Sequence, residues 1–219
     1  MTAVLVAVAG VLGLAFGHLI NRAAGRFPWA PDGPEAGGLA LRPPLVEGAT
    51  ALLFALAAVR FGPSWELPAF LFAAAAGVLL AVVDLQHHLL PNRVVVPSIG
   101  IGAALLLGAA LPEGNWDDLL RAALGAAALF VGYLVLALIS PRGLGMGDVK
   151  LAGLLGLYLG WIGWPAVFVG AVAGFVIQAL LALVLLAVRR IGLRGELPFG
   201  PAMLLGAAVA IGWNTALLG

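Results

Sequence analysis

Two aspartates carry the chemistry most readily read from this chain. Asp84 closes a wholly apolar run from Phe70 to Val83. It precedes Leu85-Gln86-His87-His88-Leu89-Leu90-Pro91-Asn92-Arg93, a stretch expected to break the helix and carry the chain back. Asp148 follows Gly143-Leu144-Gly145-Met146-Gly147 and opens another apolar run. Ionisable groups at the edge of lipid are costly unless they meet water or each other, so a carboxylate there is a functional candidate. Two carboxylates close enough to share one proton do acid and base work together. The ionised member takes a proton from an attacking water while the protonated member donates to a carbonyl oxygen. The competing reading is an N-cap for Asp148 and an interfacial turn for Asp84. Against it stands the Gly-x-Gly-Asp spacing, which expects unusual backbone dihedrals and close approach of a second chain at Gly145 and Gly147. Pro91 is expected to fix the exit of the Asp84 helix.

Other chemistries are poorly served. The chain has no Cys, which excludes a disulfide framework, a thiolate metal site and a cysteine nucleophile. His18, His87 and His88 lie near no nucleophile-elbow pattern, so no Ser-His-Asp set is assigned. Adjacent His87 and His88 without thiolate or further acidic partners read as surface residues, and no metal is assigned. With 11 Lys+Arg against 10 Asp+Glu the net charge is +1, so no global field argues for nucleic acid as a partner.

The elements that must position the aspartates are bilayer-spanning helices. Of 219 residues, 63% are hydrophobic and 10% charged, against roughly 45–50% apolar and ~25% charged in an average soluble domain. That balance excludes a soluble globular protein and implies an all-α, polytopic membrane bundle. The 31 Gly residues suit helices whose backbones approach closely in lipid. Eight spans fit between the polar breaks, at approximately 2–20, 45–61, 67–84, 94–112, 118–139, 149–163, 165–188 and 200–217. The first lacks a positive n-region and is expected to be a retained helix rather than a signal peptide.

Alternate loops then divide the basic residues nine to two. Arg22, Arg26, Arg42, Arg93, Arg142, Lys150, Arg189, Arg190 and Arg194 fall on one side, Arg60 and Arg121 on the other. The positive-inside rule makes the loops 21–44, 84–93, 140–150 and 189–199 cytoplasmic, with both termini outside and both aspartates at the cytoplasmic edge. Trp65, Trp116, Trp161, Trp164 and Trp213 are expected as headgroup-level anchors at the other edge. Membrane lipid is thus the first partner implied. No internal repeat suggests inverted transporter halves, and residues 1–219 read as one membrane-embedded domain with a short cytoplasmic loop at about 21–44.

At these residues the chain resembles the type IV prepilin peptidases, membrane aspartyl proteases of bacterial pilus assembly and type II secretion. Gly17-His18-Leu19-Ile20-Asn21 followed by Arg26-Phe27-Pro28 looks like the family's first-helix exit, with His18 in place of its usual Ser. Arg42-Pro43-Pro44-Leu45-Val46-Glu47 looks like its approach to the second span. Asp84-Leu85-Gln86 through Pro91-Asn92 matches the first catalytic block, and Gly145-Met146-Gly147-Asp148-Val149-Lys150 the second. Glu196-Leu197-Pro198-Phe199-Gly200-Pro201 matches the last cytoplasmic turn.

The resemblance implies that Asp84 and Asp148 are the catalytic pair. It also implies cleavage after the Gly of a short basic leader in prepilins or pseudopilins, at the cytoplasmic face of the bacterial inner membrane. Pro198-Phe199-Gly200-Pro201 would form a wall of the site, with Glu196 also site-shaping and a plain helix-entry turn as the other reading. Lys150 would stabilise an ionised Asp148 or, the preferred reading, reach toward phosphate headgroups. The first cytoplasmic loop departs from the family pattern, because the two Cys-x-x-Cys pairs of many members are missing and zinc in its usual form is ruled out. Proteolysis requires no cofactor. If S-adenosylmethionine-dependent N-methylation persists, Arg26, Arg42 and Glu47 are its candidate polar groups; positive-inside and interfacial placement is their other reading.

Two further function classes compete. A small proton-coupled transporter would use the two Asp as an ion relay, and expects them near the midplane with broken helices in corresponding halves. A scaffold subunit of the secretion apparatus expects both Asp to tolerate replacement.

Overall fold

A computed structural model describes residues 2–27, 38–140, 143–188 and 197–213. Within them the regular structure is helical: α1 (Thr2–Ala24), α2 (Leu45–Phe61), α3 (Leu67–His87), α4 (Asn92–Glu113), α5 (Trp116–Ile139), α6 (Met146–Ile162), α7 (Trp164–Ala187) and α8 (Gly200–Trp213). Five of these, α1, α3, α4, α5 and α7, are long and apolar enough to cross a membrane. The other three are shorter, 17 residues in α2 and α6 and 14 in α8. The chain is a multi-pass membrane helical bundle.

Glycine spacing explains which helices pair. Gly13 and Gly17 lie four apart on α1 and turn one bare face to α2. A Cβ at Gly13 would sit 2.5 Å from Ala51 Cα, and one at Gly17 2.6 Å from Glu47 Cα. On α6, Gly156 and Gly160 do the same against α5, where a Cβ at Gly160 would lie 2.6 Å from the Arg121 carbonyl oxygen. Gly170 and Gly174 of α7 meet Gly206 of α8 backbone to backbone. Lipid offers no hydrophobic drive between helices, so close backbone approach through small residues supplies the attraction instead. Three tight antiparallel hairpins result, α1–α2, α5–α6 and α7–α8. Between them run α3, packed on α1, α2, α4 and α8, and α6, packed on α4, α5, α7 and α8. Phe70, Leu80, Leu106, Leu151, Tyr158 and Met203 fill the shared core.

Three sequence expectations shift here. Helix α1 does not stop before Asn21 but runs to Ala24, because the fully buried Asn21 carboxamide finds partners in Leu41 and Glu47. Helix α3 likewise continues through Asp84 to His87. Trp161 is no anchor facing lipid: it is 4% exposed, and its indole N–H donates to Glu66 at 2.6 Å, whereas Trp65, Trp116, Trp164 and Trp213 are exposed.

Candidate active site

Asp84 sits in the last turn of α3, 4% exposed. The helix ends at His88, whose left-handed backbone (φ 53°) returns its N–H to the Asp84 carbonyl at 2.8 Å. The expectation for Pro91 is thereby corrected. Pro91 (φ −71°) does not end α3 but precedes α4, where its ring presets φ for the turn into that helix. Asp148 is the third residue of α6 rather than its N-cap. That place belongs to Gly145, whose N–H donates to Asp148 Oδ2 at 2.9 Å.

Neither glycine of the Gly-x-Gly-Asp turn needs an unusual dihedral, and Gly147 alone needs space. Gly145 has φ −83° and ψ 158°, which any residue adopts, and the positive-φ glycines among the described residues are Gly62, Gly114 and Gly163. A Cβ on Gly147, however, would lie 2.9 Å from Leu90 Cβ. The close approach at this turn is therefore made by the chain's own Leu90. The same Leu90 side chain borders Gly200, whose N–H donates to Asp84 Oδ2 at 3.0 Å. Gly200 opens α8, where free N–H groups favour a carboxylate. A Cβ there would meet that Oδ2 at 2.7 Å.

Leu90 thus packs against the starts of both α6 and α8, α8 in turn holds Asp84 at the end of α3, and the two aspartates lie within electrostatic range of each other. Each has one oxygen held by a single backbone N–H.

Around the pair, Lys150 donates to Asn92 Oδ1 at 2.7 Å, tying α6 to α4. Phe199 is buried and faces Phe175 (5.1 Å between ring centroids) and Tyr133 (6.2 Å), and the Tyr133 hydroxyl lies within electrostatic range of Asp148. Pro198 is partly buried beside Phe199, and Glu196 lies outside the described residues. Arg26 and Arg42 are exposed, while Glu47 is held in the first turn of α2 by Asn21. Among the described residues no three of His, Asp and Glu gather as a metal ion would require.

Leu90, Tyr133 and Phe175 escaped the sequence reading. Tyr133 offered a signal, a lone phenol near the aspartate end of an otherwise apolar span; Leu90 and Phe175 offered none among so many apolar residues.

The model of the type IV leader peptidase family matches residues 70–185, which contain both aspartates. This chain belongs to that family. A prepilin leader peptidase/N-methyltransferase of Bacillus subtilis is 35% identical over 176 residues, 80% of this chain and 67% of that protein. The proteins of the same description from Stutzerimonas stutzeri and Pseudomonas aeruginosa are 32% and 31% identical, over 79% of this chain and 59% of their own length. The chain therefore spans about three fifths of those two relatives. No solved structure matches. Nothing among the described residues or the comparisons supports the transporter reading. The family match also leaves α1, α2 and Gly200 outside its bounds.

Proposed function

We propose that the chain is an aspartyl endopeptidase of the bacterial inner membrane that removes leader peptides from type IV prepilins or type II secretion pseudopilins. One observation carries the reading: Asp84 of α3 and Asp148 of α6 lie within electrostatic range of each other, and among the described residues each is held through one oxygen. Carboxylates that share a proton hydrolyse a peptide without a covalent intermediate. The ionised member draws a proton from water as the water oxygen bonds to the carbonyl carbon. The protonated member donates to the carbonyl oxygen, giving a gem-diol. Collapse breaks the C–N bond, and the departing nitrogen takes a proton, so an acid and an amine leave. The Gly200 and Gly145 N–H groups hold the carboxylates while this happens, and Phe199 with Pro198 walls the site.

The division of basic residues, nine against two, supports a site at the cytoplasmic face with both termini outside. The substrate's apolar helix would lie laterally against the bundle and deliver its junction to the pair.

The relatives' double name extends the proposal to N-methylation of the new N-terminus, with Arg26, Arg42 and Glu47 as its region. S-adenosylmethionine would supply the methyl group. The exposed guanidinium groups suit that donor's carboxylate, and Glu47 brings a buried carboxylate oxygen without a partner. The usual tetrathiolate zinc site has no counterpart in a chain without Cys.

Co-expression with a prepilin tests the reading through substrate size. Wild type is expected to trim the leader, and Asp84→Asn and Asp148→Asn are expected not to. Trimming by either variant would overturn the two-carboxylate mechanism. Mass spectrometry of the mature N-terminus reads methylation in the same sample.

A further inference from the structure

Away from the aspartates a second polar cluster is built into the α1–α2 hairpin. Glu47, the third residue of α2, is 9% exposed. Its Oε1 accepts from Asn21 Nδ2 at 3.2 Å and lies 3.6 Å from His18 Nδ1. Its Oε2 is buried and has no hydrogen-bond partner. Asn21 is fully occupied otherwise, giving to the Leu41 carbonyl and accepting the Leu41 N–H, both at 2.9 Å.

A structural purpose explains Oε1 alone. The bond to Asn21 ties the two helices, and a carboxylate in the first turn suits the helix dipole. Neither needs an acid whose second oxygen is withdrawn from water, an arrangement that costs free energy unless a partner arrives. In the connection between the helices, residues 28–37 contain no Lys, Arg or His, and the flanking Arg26 and Arg42 are exposed, while Oε2 has no partner. An orphaned carboxylate oxygen is half of a charge-assisted hydrogen bond, and its complement is a cationic N–H donor.

The cluster is also tied to the aspartate site. Ala40 and Leu41 form a bridge: Asn21 holds Leu41, while Gln86, two residues beyond Asp84, donates to the Ala40 carbonyl at 2.6 Å. On the same flank Val46, the neighbour of Glu47, packs in one cluster with Val82 and Val83, the two residues before Asp84. A peptide lying across Asp84 therefore has this carboxylate beside it, across one short segment of chain.

We propose that Glu47, oriented by Asn21 and with His18 at its rim, is a binding site for an alkylammonium or guanidinium group of the substrate or product. The proposal rests on the peptidase reading for its source of cations. Hydrolysis itself liberates one, the α-ammonium of the trimmed chain, and a basic side chain near the junction would bring the same chemistry.

Direct binding tests this on the full chain in lipid nanodiscs, using the Asp84→Asn, Asp148→Asn background so that nothing is cleaved. Two pairs of labelled peptides serve as probes. One is a trimmed apolar peptide with a free α-amine or with an acetyl cap; the other is an untrimmed peptide with lysine or norleucine ahead of the junction. In one pair the cationic member is expected to bind tighter by roughly tenfold or more, as a charge-assisted bond implies. Glu47→Gln should erase that preference, and Glu47→Asp, which keeps the charge, should retain its direction. Loss in the first pair identifies the product amine, loss in the second the side chain.

Equal binding within both pairs, or a preference that survives Glu47→Gln, overturns the site. Should Glu47→Gln fail to fold, competition on the chain with native Glu47 decides. n-Hexylammonium must displace the cationic probe better than n-hexanol, and equal displacement overturns the proposal. Cleavage by the unsubstituted chain is scored separately. Trimming without cation preference sinks only this site, and preference without trimming sinks only the peptidase reading.

Discussion

The two ends of the bundle use the same residue types to opposite purpose. At the end carrying Trp65, the side chains of Arg60, Glu66, Asp118 and Arg121 are each bonded, and only the neutral Ser64 hydroxyl is buried there without a partner among the described residues. Arg121 donates through Nε to the Gly160 carbonyl and through Nη2 to the Trp161 carbonyl and to Asp118, each at 2.7 Å. Glu66 accepts from the Trp161 indole, and Arg60 reaches the Ile211 carbonyl while lying over the Phe61 ring. Those bonds close off the last carbonyls of α6 and α8, which a helix end leaves without partners. At the other end Asp84 and Asp148 each receive one backbone N–H on one oxygen, and no described cation pairs with either in a salt bridge. A polar group meant to hold helices together is satisfied; one meant to meet a substrate is held but left incomplete.

The sharpest way to break that contrast is to remove the charge at the incomplete end. Asp84→Asn and Asp148→Asn keep the shape of the side chain and its ability to accept from Gly200 or Gly145, so the bundle should melt at an unchanged temperature. Leader cleavage by either is expected to fall by at least the order of 10²–10⁴ that a positioned acid or base supplies. Cleavage kinetics and thermal melting on the same preparations check it. Parallel loss of both quantities would mean that the aspartates serve the fold.

A smaller effect should follow from moving Asp84 without discharging it. Gly200→Ala places a methyl carbon 2.7 Å from Asp84 Oδ2, closer than that oxygen tolerates, and 3.4 Å from Leu90 Cδ2. The carboxylate must shift, and displacement of a catalytic group by about an ångström costs on the order of 10²-fold in rate. Turnover should therefore drop with substrate affinity largely retained. A variant as active as wild type would show that the Gly200 contact does not aim the group.

That glycine also shows where sequence was readable and where it was not. The spans were legible because hydropathy and length set them, and α2 runs from 45 to 61 as its apolar run does. The two aspartates were legible because a carboxylate at the margin of an apolar run is costly there and is kept where it meets water, a partner or a substrate. What joins them was not. Leu90 is one leucine among many, and only the packing of three helix ends reveals that it fills the room left by Gly147 and Gly200. Helix ends were misjudged by one turn where a polar residue finds an internal partner. Asn21 reads as a loop residue until Leu41 and Glu47 are seen to satisfy it. Trp161 reads as an anchor until Glu66 is seen to bind its indole.

At the consumed end the expected signature is reversed. Arg121→Ala deletes three donated bonds and leaves the carbonyls of Gly160 and Trp161 without a side-chain partner. Lost bonds to a charged donor should lower stability by about 2–3 kcal/mol, read as an earlier thermal or denaturant midpoint in detergent. Rate per folded molecule should be unchanged. A variant that melts normally but cleaves poorly would make this end part of the mechanism and erase the distinction between the ends.

Tyr158 sharpens the comparison from between the two ends, with the smallest effect. Its side chain is 2% exposed and its hydroxyl has no partner, directed at Gly102, where an added Cβ would lie 2.6 Å from the oxygen. It is thus incomplete in the same sense as the carboxylates, yet it is neutral and buried against α4 and α3, with Phe70 edge-on to its ring at 5.4 Å. A buried hydroxyl without a partner costs about 1–3 kcal/mol, so Tyr158→Phe, which keeps the ring and its contacts, should raise the melting midpoint by a few degrees. Cleavage should not change, because incompleteness gives function only to a group that a substrate can reach. A lower midpoint would instead reveal that an internal water completes the hydroxyl. Cleavage lost at full stability would draw this phenol into the chemistry of the aspartates, and with it the middle of α6.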